Sequence, residues 1–389
     1  MGRPVFWRRS GTEPTSVPVP AVQVREPGQL GPAQVERWAA LADEALEPNV
    51  YLSPDFVLPA LRYLTPDATP LVVTVASAGS PGFAALGVFR QVARSRRFPL
   101  PHLAAYASRH SFLTGLLVAP GEAPEALEAL FGFVASRSNR WHGFAFRELD
   151  AGGALGRALM NAAAASGARW VEHAHIERAF LSESDLARQP VVTHTGRTRR
   201  ELTRKERRLR EAGAFEWRLL EGGAVDDAAI SRFVDLEHCG WKGERGSSLQ
   251  SRARDQAFFE EVVRRLRRRG DAFFTELLCD GRVIASTSNF LSGGAGFAFK
   301  IGWDTAFRKF SPGLMNEVLL LREGEGFLRG LRFLDSGADE GSFLESLWPG
   351  RRRLSTGVFA TSTLGRAALA GVGLARTVRR QGRAMRRSA

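Results

Sequence analysis

The chain has 389 residues, an apolar fraction of 44% and a net charge of +13, so it has room for two or three domains and a sizeable core. No run of about 18 uncharged apolar residues occurs, which argues against a membrane-spanning helix. Two cysteines, Cys239 and Cys279, are too few for a disulfide framework or a four-ligand zinc site, and a reducing, cytoplasmic setting is expected.

In chain order, residues 1–20 are rich in Pro, Ser and Thr and read as a disordered arm. Arg3, Arg8 and Arg9 precede no apolar h-region, so a secretory signal is not supported. A short strand over 21–25 is followed by a helix over 31–46 opened by Pro32, and Ser53-Pro54 opens a helix reaching Leu64. Strands over 71–76 and 83–89 flank a turn and form a hairpin. A helix (123–136), a strand (143–147), a helix (153–166) and a strand (169–173) complete a first unit. His173 and His175 alternate on that last strand beside Glu172 and Glu177, without a metal-binding spacing.

A second unit repeats the plan without residue-level identity. An arginine-rich helix runs from 197 to 212, with Glu201–Lys205 and Glu206–Arg210 spaced as ion pairs on one face. A strand (215–220) and helices (226–238 and 254–269) lead to a hairpin, 272–279 and 282–291, turning at Asp280-Gly281. An apolar strand (295–303) then delivers a short basic loop, Arg308-Lys309, and a helix begun by Ser311-Pro312-Gly313. Strands over 331–335 and 353–360 and a short helix over 342–348 follow. The tail, 361–389, has seven arginines and no acid. Leu364, Ala368, Val372, Ala375, Val378 and Met385 fall on one stripe, the pattern of a frayed tail or of a helix lying on an anionic membrane.

The strand–loop–helix at 295–326 carries the most functional information. The first amides of a helix lack intrahelical partners and sit at the positive end of its dipole, so cations beside such a start make an anion site. Almost every cation in the chain is arginine. Only Lys205, Lys242, Lys300 and Lys309 break the pattern, and three of these lie between 242 and 309. A compact ammonium serves other needs than a planar guanidinium.

The segments LTRKERRLREAG (202–213), LEHCGWKG (236–243) with Gly246-Ser247, FFTELLCDGRVIA (273–285), WDTAFRKFSPGL (303–314) and LDSG (334–337) with Leu347-Trp348 resemble the CelD-like (BioF-like) acetyltransferase domain of the GNAT superfamily, a relative of the FemAB aminoacyltransferases. The resemblance covers roughly 195–355, and the first half fits the layout only. It implies an α/β protein of tandem GNAT-like units, each a mixed, mostly antiparallel twisted sheet flanked by helices. The expected division is 21–190 for a degenerate N-terminal unit and 191–360 for the acyltransferase domain. It implies a bacterial enzyme moving an acyl group from acetyl-CoA or another acyl-CoA to an amino or hydroxyl group of a sugar, polysaccharide precursor or lipid-linked intermediate.

On this reading Arg308, Lys309 and the amides of Phe310, Ser311, Gly313 and Leu314 hold the donor. The usual GNAT Gly-x-Gly/Ala pattern is absent, and Pro312 has no N–H to offer. Aminoacyl-tRNA, the donor of FemAB relatives, suits the same geometry, and a non-catalytic basic adaptor at a membrane or glycan is a third reading. Glu237 and Asp335 are candidate bases, with Asp335 alternatively orienting the acceptor. Lys242 is a partner for donor phosphate or an acidic acceptor, and Trp241 and Lys300 are candidate substrate contacts. Tyr51, Tyr63 and Tyr106, the chain's three tyrosines, all lie in the first half, so the usual tyrosine acid is vacant, replaced by water, or supplied across the interface. Cys239 is expected to be buried and inert. The partners expected are a small-molecule or glycan acceptor and a peripheral membrane through 361–389, with no sequence-specific nucleic acid.

Overall fold

A computed structural model describes residues 20–136, 139–188 and 196–371; the side chains of 197–199 and of Trp241 also fall outside the described set. The first half contains β1 (Val22–Arg25), α1 (Pro32–Glu44), α2 (Pro54–Pro59), β2 (Leu71–Ala76), β3 (Phe83–Val92), β4 (His102–Ala105), β5 (Leu117–Val118), α3 (Ala123–Ala135), β6 (Gly143–Leu149), α4 (Ala154–Ala165), β7 (Arg169–Ser182) and α5 (Glu183–Leu186). The second contains α6 (Gly196–Ala212), β8 (Phe215–Glu221), α7 (Asp227–His238), α8 (Trp241–Glu244), α9 (Ala253–Arg269), β9 (Ala272–Cys279), β10 (Arg282–Ser292), β11 (Ala295–Trp303), α10 (Pro312–Glu323), α11 (Glu325–Leu328), β12 (Phe333–Asp335) and β13 (Gly350–Ala360).

All strands join one mixed sheet in the order β1-β2-β3-β4-β6-β13-β7-β12-β11-β10-β9-β8, with β5 paired to β3. The order is nearly palindromic. In each half an antiparallel run (β1 to β4, and β8 to β11) meets a short parallel strand, β6 or β12. The final strands are exchanged: β13 lies beside β6, and β7 lies beside β12. The two halves are thus hydrogen-bonded into one surface, mainly through the long antiparallel pairing of β7 with β13. The sheet is the mixed, largely antiparallel α/β arrangement expected, with helices on both faces.

Local chemistry explains most elements. Asp280 and Gly281 both adopt positive φ (50° and 75°), the backbone of a tight hairpin turn. Asp226 accepts a hydrogen bond from the Ala229 amide at the start of α7, and Gly270, at φ 81°, closes α9. The predicted Glu201–Lys205 and Glu206–Arg210 pairs form along α6. Three expectations change. The strand predicted to end at His173 runs to Ser182, because its second part pairs with both β13 and β12. Strands β4 and β5 were not anticipated; at four and two residues they are too short for a legible period. Cys239, expected buried, caps the end of α7 and is exposed.

Residues 363–371 are helical, and Leu369 is buried with Phe98, Val358 and Ala360, while Leu364 faces solvent. The rest of the tail stripe, and the arm at 1–19, lie outside the described residues. No helix among the described residues is long and apolar enough to cross a membrane.

Where the halves meet, a buried ion cluster adjoins an apolar core to which both contribute, Phe56 packing on Phe258 and Tyr51 on Phe297. Asp335, at the end of β12, accepts from Arg352 on β13 (3.0 Å), from Arg178 on β7 (3.4 Å) and from the Gly337 amide (2.9 Å). Arg352 also reaches Asp150 (2.7 Å) and Glu47 (2.5 Å) and sits over the rings of Phe180 and Phe333. Arg178 donates to the carbonyls of Phe112 (2.8 Å) and Ala338 (3.0 Å) and to Glu148 (3.3 Å). Removing one charge from such a cluster leaves the others buried and uncompensated. Asp335→Asn is therefore expected to destabilise the fold by roughly 3–5 kcal/mol in urea unfolding. Unchanged stability would show that Asp335 is not a strut.

Candidate active site

Strands β11 and β12 pair in parallel over only two positions, Gly296 with Leu334 and Phe297 with Asp335. Beyond Phe297, β11 continues to Trp303 without a partner on that side, while the chain after Asp335 turns away at Gly337 (φ 60°). A V-shaped gap opens between them. It holds a cavity of about 170 Å³ lined chiefly by Lys242, Thr287, Asn289, Phe299, Lys300, Glu317, Ser336–Ala338 and Ser342–Leu344.

A β-bulge aims the gap's central cation. Across β10 and β11, Ser288 faces Lys300 but Asn289 faces Ala298, leaving Phe299 as the extra residue. Phe299 packs in the aromatic core against Phe290 (4.8 Å between ring centroids), and Lys300 falls among Lys242, Glu237, Asp255 and Arg109. The Lys300 ammonium has no hydrogen bond or ion pair among the described residues; it lies 5.5 Å from the Phe299 ring centre. Burial first, and then the charge of Lys242, lower its pKa to about 8.

Lys242 donates to the Ile301 carbonyl (2.9 Å) and to Glu237 (3.2 Å). The second oxygen of Glu237 accepts from the Leu249 amide (2.8 Å), so this fully buried carboxylate is committed to holding Lys242 and the 246–249 turn. Asp335, likewise, has both oxygens engaged by the arginines and does not line the cavity. Both are therefore positioning groups rather than free bases. Trp241 opens the four-residue helix α8, and its side chain lies outside the described residues.

The predicted basic loop is a 3-10 segment, Thr305–Phe310, capped by Asp304, which accepts from the Ala306 amide (2.9 Å). Arg308 and Lys309 are exposed on it, and Phe310 is buried. Ser311 adopts a left-handed conformation (φ 52°) that turns the chain into α10. Its amide donates to the Arg308 carbonyl, and its hydroxyl accepts from Lys205 (3.0 Å). With Pro312 lacking an N–H, Gly313 and Leu314 supply the unpaired amides of the helix start. Gly313 lies against β11: a Cβ there would meet Ile301 at 3.0 Å. All four lysines thus converge on the gap or the loop beside it; the fourth, Lys205, was not placed there by the sequence reading.

Sequence reasoning missed Glu317. It sits one turn inside α10, buried, and lines the gap. Its carboxyl has no hydrogen bond or ion pair among the described residues, and its Oε2 is enclosed without a partner. Burial alone raises its pKa to about 7. No motif marks it, since one Glu in a helix looks like a surface residue. The available signal was its place on the apolar face of 312–323 beside Met315, Leu319 and Leu320.

The first half also contributes. Its loop after β4 places Arg109 against Asp255, stacks His110 on Phe258 (5.5 Å) and lays Phe112 beside Gly337. No tyrosine lines the gap: Tyr51 is buried in the core, Tyr63 lines a separate groove, and Tyr106 bonds Thr65 (2.9 Å). That separate groove, about 670 Å³ between α1, α2 and α9, is larger. Its Arg264, Arg265 and Arg269 are ion-paired, however, so it lacks the uncommitted buried groups of the gap.

A sheet splayed between two parallel strands, with a helix start packed on one of them, is the architecture of the acyl-transferring GNAT fold. Residues 196–343 match the acetyltransferase (GNAT) domain family, and the fold of the chain is similar to that of FemX. FemX shares 10% identity, with 84% of this chain and 95% of that one covered at a TM-score of 0.53. The C-terminal domain of a putative lysylphosphatidylglycerol synthetase from Agrobacterium fabrum shares 12%, covering 87% and 94%, at 0.52. A conserved protein of unknown function from Bacteroides thetaiotaomicron gives 12%, 87% and 99%, at 0.52. No protein of curated function matches the sequence.

The Glu317 environment has a thermodynamic consequence. Unfolded, its carboxyl titrates near 4.5; folded, near 7. Between those values the native state holds a proton the unfolded chain has lost, so this group's contribution falls as pH rises. Glu317→Gln is expected to be near neutral at pH 4 and to stabilise the fold at pH 8 by on the order of 3 kcal/mol. Paired denaturant titrations at the two pH values check this; an equal effect at both would exclude a raised pKa.

Proposed function

We propose that the protein is an N- or O-acyltransferase acting through the β11–β12 gap. The donor lies on the α10 side, with its phosphates at Arg308, Lys309 and the amides of Gly313 and Leu314. Its acyl group enters the gap, and the acceptor approaches from the α7–α9 side past Lys242 and Lys300. The observation that carries this reading is the cavity itself: it brings Glu317 of α10 together with a half-buried Lys300 whose ammonium has no hydrogen bond or ion pair among the described residues. An open gap lined by uncommitted polar groups supports catalysis over the adaptor reading. Lys300, with its depressed pKa, serves as a positive contact for an anionic acceptor or for the developing oxyanion.

Acyl-CoA is the donor favoured by the domain family, and a sugar, polysaccharide precursor or lipid-linked amine or alcohol is the acceptor class favoured by the sequence resemblance. A second donor, aminoacyl-tRNA, is favoured by one observation. Two unpaired amides and two exposed cations make a sparser pyrophosphate cradle than a glycine-rich loop, while α6 adds exposed arginines, Arg200, Arg204 and Arg207, beside it. The first half acts as a platform in this scheme. Its counterpart of the donor helix, α3, starts at Glu122 rather than at a cation, and Glu122 already accepts from Ser77 (2.7 Å) and the Ala78 amide (2.8 Å).

Titration calorimetry with acetyl-CoA tests the donor. Arg308→Ala with Lys309→Ala is expected to weaken binding roughly ten- to hundredfold with an unchanged melting temperature, because both side chains are exposed. No heat at millimolar acetyl-CoA, together with binding of aminoacyl-tRNA, would transfer the assignment to the second donor.

A further inference from the structure

We infer that Glu317 is the proton donor to the leaving group. The inference rests on the transfer reading above and deepens it at the same gap. Collapse of the tetrahedral intermediate puts an electron pair on the departing sulfur or oxygen, and a neutral acid nearby lowers that barrier. Among the described residues no tyrosine lines the cavity, and the only acid lining it is Glu317. It stands on α10, the helix whose start is the proposed donor site, so its carboxyl is on the donor's side of the sheet. It is buried without a partner, which is costly unless the group is protonated or meets a ligand.

Nothing charged around it disturbs that state. Lys300 on β11 and Lys242 line the same cavity but contribute no shift to Glu317, whose raised pKa has burial as its one cause. On the other elements packed against α10, the charges are paired or face solvent. Glu276 pairs with Arg232, Arg282 with Asp304, Glu216 with Arg218, and Glu325 with Arg329; Arg308 and Lys309 are exposed. The carboxyl therefore keeps its proton up to about pH 7.

The step balances simply. The acceptor's lone pair forms a bond to the acyl carbon, and the carbonyl pair moves to oxygen. When the carbonyl re-forms, the C–S bond breaks and its electron pair leaves on sulfur. The Glu317 proton passes to that sulfur, giving the free thiol. The proton lost by the acceptor nitrogen or oxygen returns the carboxylate to its acid form, directly or through water. An ester donor follows the same course with C–O cleavage.

The test uses the full chain, acetyl-CoA as donor and hydroxylamine as the acceptor probe, with free thiol as the readout. Glu317→Gln is expected to bind acetyl-CoA as the wild type does while kcat falls roughly a hundredfold. The wild-type decline in kcat above about pH 7 should vanish in the variant, and Glu317→Asp should restore part of both. An oxygen-ester analogue of acetyl-CoA, with a more basic leaving group, should suffer more from Glu317→Gln than the thioester. An unchanged kcat, or equal losses with both donors, overturns the proton-donor role alone. A wild-type protein that binds no acetyl-CoA, or binds it and releases no thiol, overturns the transfer reading and this inference with it.

Discussion

The structure depends on the carboxylate of Asp335. It marks the last paired position of β12 and is gripped by Arg178 on β7 and Arg352 on β13. That grip ties β12 to the exchanged strands at the middle of the sheet. On its other side β12 has only two paired positions with β11, so β11 departs and the gap opens. Buried charge is an expensive way to fasten a fold unless every partner is present. Here the partners come from both halves, through Glu47, Glu148 and Asp150. The cluster thus links the strand beside the second half's gap to residues of the first half.

The two faces of the gap divide the chemistry. On the α7–α9 side, Glu237 and Asp255 are committed to Lys242 and Arg109, which leaves Lys300 as the uncompensated charge. On the α10 side, Glu317 is desolvated, with its pKa raised by burial, and the cations Arg308, Lys309 and Lys205 lie near the helix start. The bulge at Phe299 puts Lys300 on the first side while Ile301 and Trp303 pack under Gly313 on the second. One extra residue in a strand thereby separates the charge on one face of the gap from the packing on the other.

Much of this was legible in the linear chain. The long amphipathic helices and the Asp280-Gly281 hairpin follow from period and turn chemistry, and the helix opened by Pro312 after the basic loop forms as expected. The scarcity of lysine drew attention to Lys242, Lys300 and Lys309, and the structure gathers all three with Lys205. The sites assigned to Glu237 and Asp335 were less secure. A carboxylate at a helix end or strand end reads the same whether its oxygens are free or engaged, and only the folded partners show that these two are engaged.

The sequence by itself determined most of the elements, the repeated plan, the basic turn and the resemblance to the GNAT domain, because each is carried by residues close together in the chain. The tertiary structure alone decided that the halves exchange their last strands, that Asp335 is held by two arginines, that a loop from the first half flanks the second half's gap, and that Glu317 is buried in that gap. Those outcomes depend on desolvation and on partners more than a hundred residues apart, such as Arg178 and Asp335, and local pattern carries no record of either.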